Sequence, residues 1–144
     1  MFATTSRRLA LGLSAVVALA CGGDSGTGPD SITGSYALQS VNGHVLPYVL
    51  LDTVEDGIAE KVEVVSPSSL LLSGGSDFRM IITVRVAFAG FADVQADTIA
   101  GKYTLAGSAI TLTPPGQTPL AGTWNMSDQI TFTGDGDVLV FKRN

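Results

Sequence analysis

The sequence predicts an all-β protein: a single antiparallel up-and-down (meander) β-barrel of about 8–10 strands behind an export signal and a glycine-rich tether. Three observations predict it. Between Ile32 and Arg143 apolar residues recur at every second position, and no helical stripe of useful length interrupts them. A Gly-x-aromatic-x-aliphatic pattern occurs three times, at Gly34-Ser35-Tyr36-Ala37-Leu38, Gly101-Lys102-Tyr103-Thr104-Leu105 and Gly122-Thr123-Trp124-Asn125-Met126. The pairs Asn42-Gly43 and Asp135-Gly136 have the composition of tight hairpin turns.

The chain opens with Met1–Ala20, where Arg7 and Arg8 precede Leu9–Ala20, an uncharged apolar run of 12 residues. A membrane-spanning helix needs roughly 20 such residues, so the run is the core of a signal peptide. The positive flank stays on the cytoplasmic side, and the chain beyond it is exported. Ser6-Arg7-Arg8-Leu9 leaves both the general and the twin-arginine export route open. The sole cysteine, Cys21, directly follows the apolar core in Ala18-Leu19-Ala20-Cys21. In this the chain resembles a bacterial lipoprotein precursor, a resemblance that implies a lipid on Cys21 and localisation at the cell envelope. Ala18-Leu19-Ala20 also fits an ordinary A-x-A cleavage site, which would leave Cys21 a free thiol. Acyl chains would give durable anchoring, because each buried CH₂ contributes about 0.8 kcal/mol.

Residues 21–31 are rich in Gly, Ser and Asp, a composition that buries no core and serves as a flexible tether. Cleavage after Ala20 removes Arg7 and Arg8 and no acid, which leaves six basic against thirteen acidic residues, a net of −7. Such a domain is not held to anionic lipid by its own surface, and it is the wrong sign for nucleic acid. One cysteine and one histidine exclude an internal disulfide and Cys- or His-rich metal sites. No cofactor is implied.

The domain is expected over residues 32–144. Phe78, Met80, Ile82, Val84, Val86 and Phe88 alternate with Arg79, Ile81, Thr83, Arg85 and Ala87. Eleven residues of such alternation make a long strand with one face buried. Ser73-Gly74-Gly75-Ser76 turns it back on Ser69–Leu72. In each Gly-x-aromatic copy the aromatic and the aliphatic side chain share a face. The second and third copies are each followed by another strand, Ile110–Thr113 and Ile130–Thr133, and their spacing of 21 residues fits successive hairpins. The last strand is Asp137–Lys142. So many antiparallel strands curl and close, which removes exposed edges. A two-sheet sandwich is the competing architecture.

Gly34-x-Tyr36, Gly101-x-Tyr103-x-Leu105 with Ile110-x-Leu112, and the terminal Phe141-Lys142-Arg143 together resemble the small lipocalin-like domains of bacterial secreted proteins. The wider calycin group often has Gly-x-Trp on its first strand and a basic residue near its last, packed over that ring. The resemblance places Tyr36 at the Trp position and makes Lys142 or Arg143 its basic partner. Tyr36-x-Leu38-x-x-Val41-Asn42-Gly43 is also similar to META-type envelope domains.

Chemistry-bearing motifs are sparse. His44, the only imidazole, follows a turn and reads as solvent-facing; as a general base it would need a carboxylate such as Asp52 beside it in a cleft. No G-x-S-x-G, H-E-x-x-H or P-loop pattern occurs. Asp52, Glu55, Asp56, Glu60 and Glu63 read as a solvated loop without calcium-loop spacing, and Asp93 and Asp97 as part of another connection. Tyr36, Phe78, Trp124 and Phe132 are the candidate ligand-binding walls of the barrel interior. The expected function is therefore non-catalytic: binding a small apolar ligand in or at the barrel mouth, at the envelope. The alternatives are a structural or protein-interaction module with a filled core, which a cavity under about 300 Å³ would favour, and, less favoured, a hydrolase.

Overall fold

A computed structural model describes residues 31–144; the expected signal segment, Cys21 and the expected tether up to residue 30 lie outside the described residues. Ten strands follow one another: β1 (Gly34–Val41), β2 (His44–Val45), β3 (Tyr48–Glu55), β4 (Ile58–Ser73), β5 (Asp77–Phe88), β6 (Phe91–Ala106), β7 (Ala109–Thr113), β8 (Leu120–Trp124), β9 (Gln129–Gly134) and β10 (Asp137–Arg143). No helix occurs among the described residues. From β4 to β10 each strand pairs with the next, β10 pairs with β1, and β1 returns to β4 through Gly34–Ala37 and Ser69–Leu72. The result is a closed, eight-stranded, antiparallel up-and-down barrel of lipocalin-like form, with β2 and β3 added outside the closure.

The period-two pattern explains the closure. Tyr36, Leu38, Leu70, Leu72, Phe78, Met80, Tyr103, Ile110, Leu112, Trp124, Ile130, Phe132 and Phe141 all face one side of their strands and are buried together. The outward positions between them include Lys102, Thr104, Thr113, Thr123 and Thr133, all exposed. An oily inside and a hydroxyl-rich outside is the reverse of a membrane-spanning barrel. At Asn42-Gly43 (φ 52° and 79°) and Asp135-Gly136 (52° and 90°) both turn residues are left-handed, as the hairpin composition predicted.

The second and third Gly-x-aromatic copies acquire a second meaning in three dimensions. Gly101 faces inward directly opposite Phe78, and Gly122 faces inward opposite Phe132. A methyl group on Gly122 would sit 2.5 Å from the Phe132 ring, and one on Gly101 would sit 2.9 Å from the Phe78 ring. The glycines thus leave room for an aromatic ring from the neighbouring strand, and the interior closes over them. The aliphatic ends of the second and third copies depart from expectation. Leu105 and Met126 are exposed, Leu105 at the end of the β6–β7 hairpin and Met126 beyond the end of β8, with a φ of 62°.

The acidic segment departs further. Asp52 and Glu55 belong to β3, Glu60 and Glu63 to β4, and only Asp56-Gly57 turn between them. Asp93 and Asp97 lie within β6. The strand-breaking character of Asp and Glu was overridden because β3 through β6 hydrogen-bond to one another beyond the barrel. β4 makes this possible by changing partner. Ser66–Ser68 bulge out of register with β5, and there β4 leaves β1 and takes up β3. The Ser68 hydroxyl accepts the Thr83 backbone N–H at 2.9 Å, replacing a ladder bond lost at the bulge. Phe88, expected inside, therefore sits at the exposed tip of this projecting sheet.

Candidate functional site

The four candidate wall residues separate into two pairs. Tyr36 and Trp124 belong to the end of the barrel where the β8–β9 turn, Ser31–Ile32 and Arg143–Asn144 meet. The Tyr36 hydroxyl donates to the Ile32 carbonyl at 2.7 Å and accepts from Arg143 Nη2 at 2.7 Å. The guanidinium also lies 5.2 Å from the ring centroid, and it donates to the Ser31 carbonyl. Ile32 is buried beneath this crossing, so the end is closed. Lys142, the other basic candidate, points elsewhere and pairs with Asp128 at 3.4 Å. Trp124 is 4% exposed, and its indole N–H donates to the Ser127 carbonyl at 3.4 Å. Nearby, burial first and then Tyr36 and Asp77 push the Tyr103 hydroxyl above its ordinary pKa.

Phe78 and Phe132 reach the other end, flanked by the β7–β8 connection and the β9–β10 turn. Phe78 lines a cleft of about 220 Å³ with Met80, Ile99 and Leu112. Phe132 lines a second of about 220 Å³ with Leu139 and Asp137. Leu120 and Asp135 border both. Phe132 is fully buried and packs edge-on against Phe141, with centroids 6.0 Å apart. Small-molecule sites usually enclose 300 Å³ or more; each mouth cleft falls below that range, and the side chains beneath them fill the interior. A larger cleft, about 470 Å³, lies outside the barrel beside the β4 bulge, among Ala37, Gln39, Leu46, Pro67 and Ser69. It contains no titratable side chain and none of the four candidates.

His44 is exposed and stacks on Tyr48, with centroids 6.1 Å apart. Asp52 lies on β3 opposite Lys61, and among the described residues no hydrogen bond or ion pair joins His44 to a carboxylate. Beside this stack, Asn42 does more than turn the chain. Its Nδ2 donates to the Tyr48 hydroxyl at 2.9 Å and to Asp137 at 2.8 Å, and its Oδ1 accepts the Val138 N–H at 2.8 Å. One side chain thus ties the mouth turns to the root of β3.

The feature the sequence did not disclose is the projecting sheet. It comprises β3, the first half of β4, the second half of β5 and the first half of β6. Directly paired residues share a face. Continuous with the barrel interior are Val62, Val64, Val84 and Val86, then Ile58, Phe88 and Phe91 towards the tip. The same face carries Glu55, Glu60, Asp93 and Asp97, and no Lys, Arg or His. None of these four carboxylates is in an ion pair among the described residues. The two basic residues of this sheet lie on the opposite face, both held by Glu63. Lys61 Nζ is 2.8 Å from Oε1, and Arg85 Nε donates to Oε2 at 2.9 Å. These partners, Lys61 first, hold the buried Glu63 carboxyl below its ordinary pKa. The basic residues are therefore confined to one face, which also carries Asp52 and Glu63, and the charged groups of the other face are carboxylates alone.

The sheet also has open edges. β7 pairs with β6 only over Lys102–Ala106, so among the described residues no strand pairs with the outer edge of residues 91–101. β3 offers the other edge, but it is shorter and carries a bulge between Val49 and Leu51. Phe91 is 81% exposed and Val94 59%. Comparison of the chain with protein-family models, with curated proteins and with solved structures found no match.

Proposed function

We propose that the protein is exported, held at a bacterial cell envelope by a lipid on Cys21, and works there as a non-catalytic protein-interaction module. Its barrel is a solid scaffold, and the sheet of β3–β6 is the part that meets a partner. One observation carries this reading: the interior is filled by Tyr36, Phe132, Phe141 and their neighbours, while the largest exposed apolar side chains cluster on an edge-bearing sheet outside it. Exposed apolar surface bordered by polar residues marks a contact with a protein or a membrane, and the carboxylates of this sheet disfavour an anionic membrane.

Photo-crosslinking in producing cells tests the reading. A crosslinking side chain at Val94 should capture a protein, and one at Thr133, on the outer wall of the barrel, should not. Equal capture at both, or none at Val94, would contradict it. Cys21→Ser should release the protein from membranes, and unchanged retention would remove the anchor from the account.

A second reading, a small apolar ligand at the mouth, is favoured by the two adjoining clefts over Phe78 and Phe132. It would have to be a ligand small enough to bind without displacing either ring.

A further inference from the structure

We infer that the free edge of β6 receives an extended, basic segment of a partner protein by strand addition. The inference rests on the interaction-module reading and names the chemistry of the partner. The edge is long and regular. β6 pairs with β5 through twelve successive residues, from Asp77↔Lys102 to Phe88↔Phe91, without a register shift. Among the described residues, eleven residues of its outer side are unpaired, about 36 Å of backbone N–H and C=O groups at the usual strand rise. Natural edges of this length are normally shortened, bulged, covered or guarded by charge; among the described residues this one is neither shortened nor bulged, it is uncovered over residues 91–98, and its guard is the pair Asp93 and Asp97.

The two faces of the edge specify what fits beside it. Asp93, Gln95 and Asp97 lie on one face, and Ala92, Val94, Ala96 and Thr98 on the other. An added strand places its alternate side chains next to the same two rows. Lys or Arg at every second position would meet the carboxylates, with small apolar residues between them beside Ala92, Val94 and Ala96. Glu55 and Glu60 on the same face add negative charge across the sheet, and no basic residue of that face competes for it.

A second copy of the chain is a poor occupant. An antiparallel pair of β6 edges keeps the same face on the same side. Centred on Gln95, it sets Asp93 of each copy opposite Asp97 of the other, two like-charge contacts of the kind that destabilise a sheet. An anionic membrane surface is repelled by the same carboxylates. The charge that bars these occupants selects a cationic strand.

The test uses the full-length protein and a labelled ten-residue peptide of alternating lysine and valine, read by fluorescence anisotropy. Controls are the alternating glutamate–valine peptide, a peptide with its lysines and valines in separate blocks, and two lysine–valine peptides N-methylated at odd or at even positions. The alternating lysine–valine peptide should bind, more weakly as salt rises, and the glutamate and block peptides should not. One N-methylated series should lose binding, because it blocks the N–H groups that face β6. Asp93→Asn with Asp97→Asn should weaken binding about twofold to thirtyfold, the range of two exposed ion pairs. Equal binding of the lysine and glutamate peptides, unaltered binding of both methylated series, or no binding at millimolar peptide would overturn the inference. The methylated peptides leave the protein unchanged, so that arm does not depend on how a variant folds. If the peptides fail while Val94 still captures a protein in cells, strand addition is wrong and the interaction module stands.

Discussion

Arg143, next to last in the chain, lies across the ring of Tyr36 on the first strand, with its guanidinium 5.2 Å from the centroid and its Nη2 2.7 Å from the hydroxyl. The pair closes one end of the barrel. Through the Ile32 and Ser31 carbonyls it also fixes where the chain enters the fold. Tyr36→Phe keeps the ring and removes the hydroxyl that joins Arg143 to Ile32, and it should cost about 1–2 kcal/mol of unfolding free energy. A double-mutant cycle with Arg143→Met should give a coupling of about 1 kcal/mol or more. Additive effects in urea denaturation would show that the two side chains stabilise the end independently.

The inward glycines yield a packing prediction. Gly122→Ala drives a methyl group against Phe132 and the Thr131 carbonyl, and Gly101→Ala drives one against Thr113 and Pro114. Each should destabilise by about 1–3 kcal/mol, as overpacking does. Gly74, with open space around it, should tolerate alanine with little change. Chemical denaturation of the three variants checks the ranking.

Asn42 separates turn chemistry from tethering. Asn42→Gly keeps the left-handed turn and the backbone bond from residue 42 N–H to the Val138 carbonyl, and it removes the side-chain bonds to Tyr48, Asp137 and the Val138 N–H. A loss of about 1–2 kcal/mol is expected, together with faster amide exchange at β3. A variant as stable as the parent would show that the turn alone holds this corner.

Glu63 carries a pH dependence. Its folded pKa is lowered from the ordinary 4.5 by Lys61 and Arg85. A depressed carboxyl pKa contributes stability that is fully present above the unfolded value and is lost as pH falls through the folded one. Glu63→Gln should therefore lower Tm at pH 7, and the difference should shrink steadily below pH 4.5. A difference that stayed constant down to pH 2 would assign the loss to packing instead of charge.

The barrel was legible because its signal is local. Alternation from Phe78 to Phe88, the Asn42-Gly43 and Asp135-Gly136 turns and the repeated glycine–aromatic pairs each specify strand or hairpin without knowledge of the rest. The resemblance also pointed to a basic residue over Tyr36, and the geometry selects Arg143 over Lys142. The projecting sheet was not legible, because its strands β3 and early β6 alternate poorly. Asp93, Gln95 and Asp97 occupy positions that continue the barrel's inner face, where the pattern leads one to expect apolar residues. They read as a connection because only the pairing with β5 shows that they form an edge. Of the four candidate wall residues, Phe78 and Phe132 reach the mouth clefts. Tyr36 and Trp124 are held at the far end by hydrogen bonds that no spacing rule discloses.

Native mass spectrometry of the full protein, purified gently from the cells that make it, tests most directly whether binding belongs to the projecting sheet and not to the barrel. The account predicts the chain carrying only its N-terminal lipid, alone or with a protein partner. A stoichiometric small molecule that survives delipidation and leaves on unfolding would contradict it and move the site into the barrel mouth.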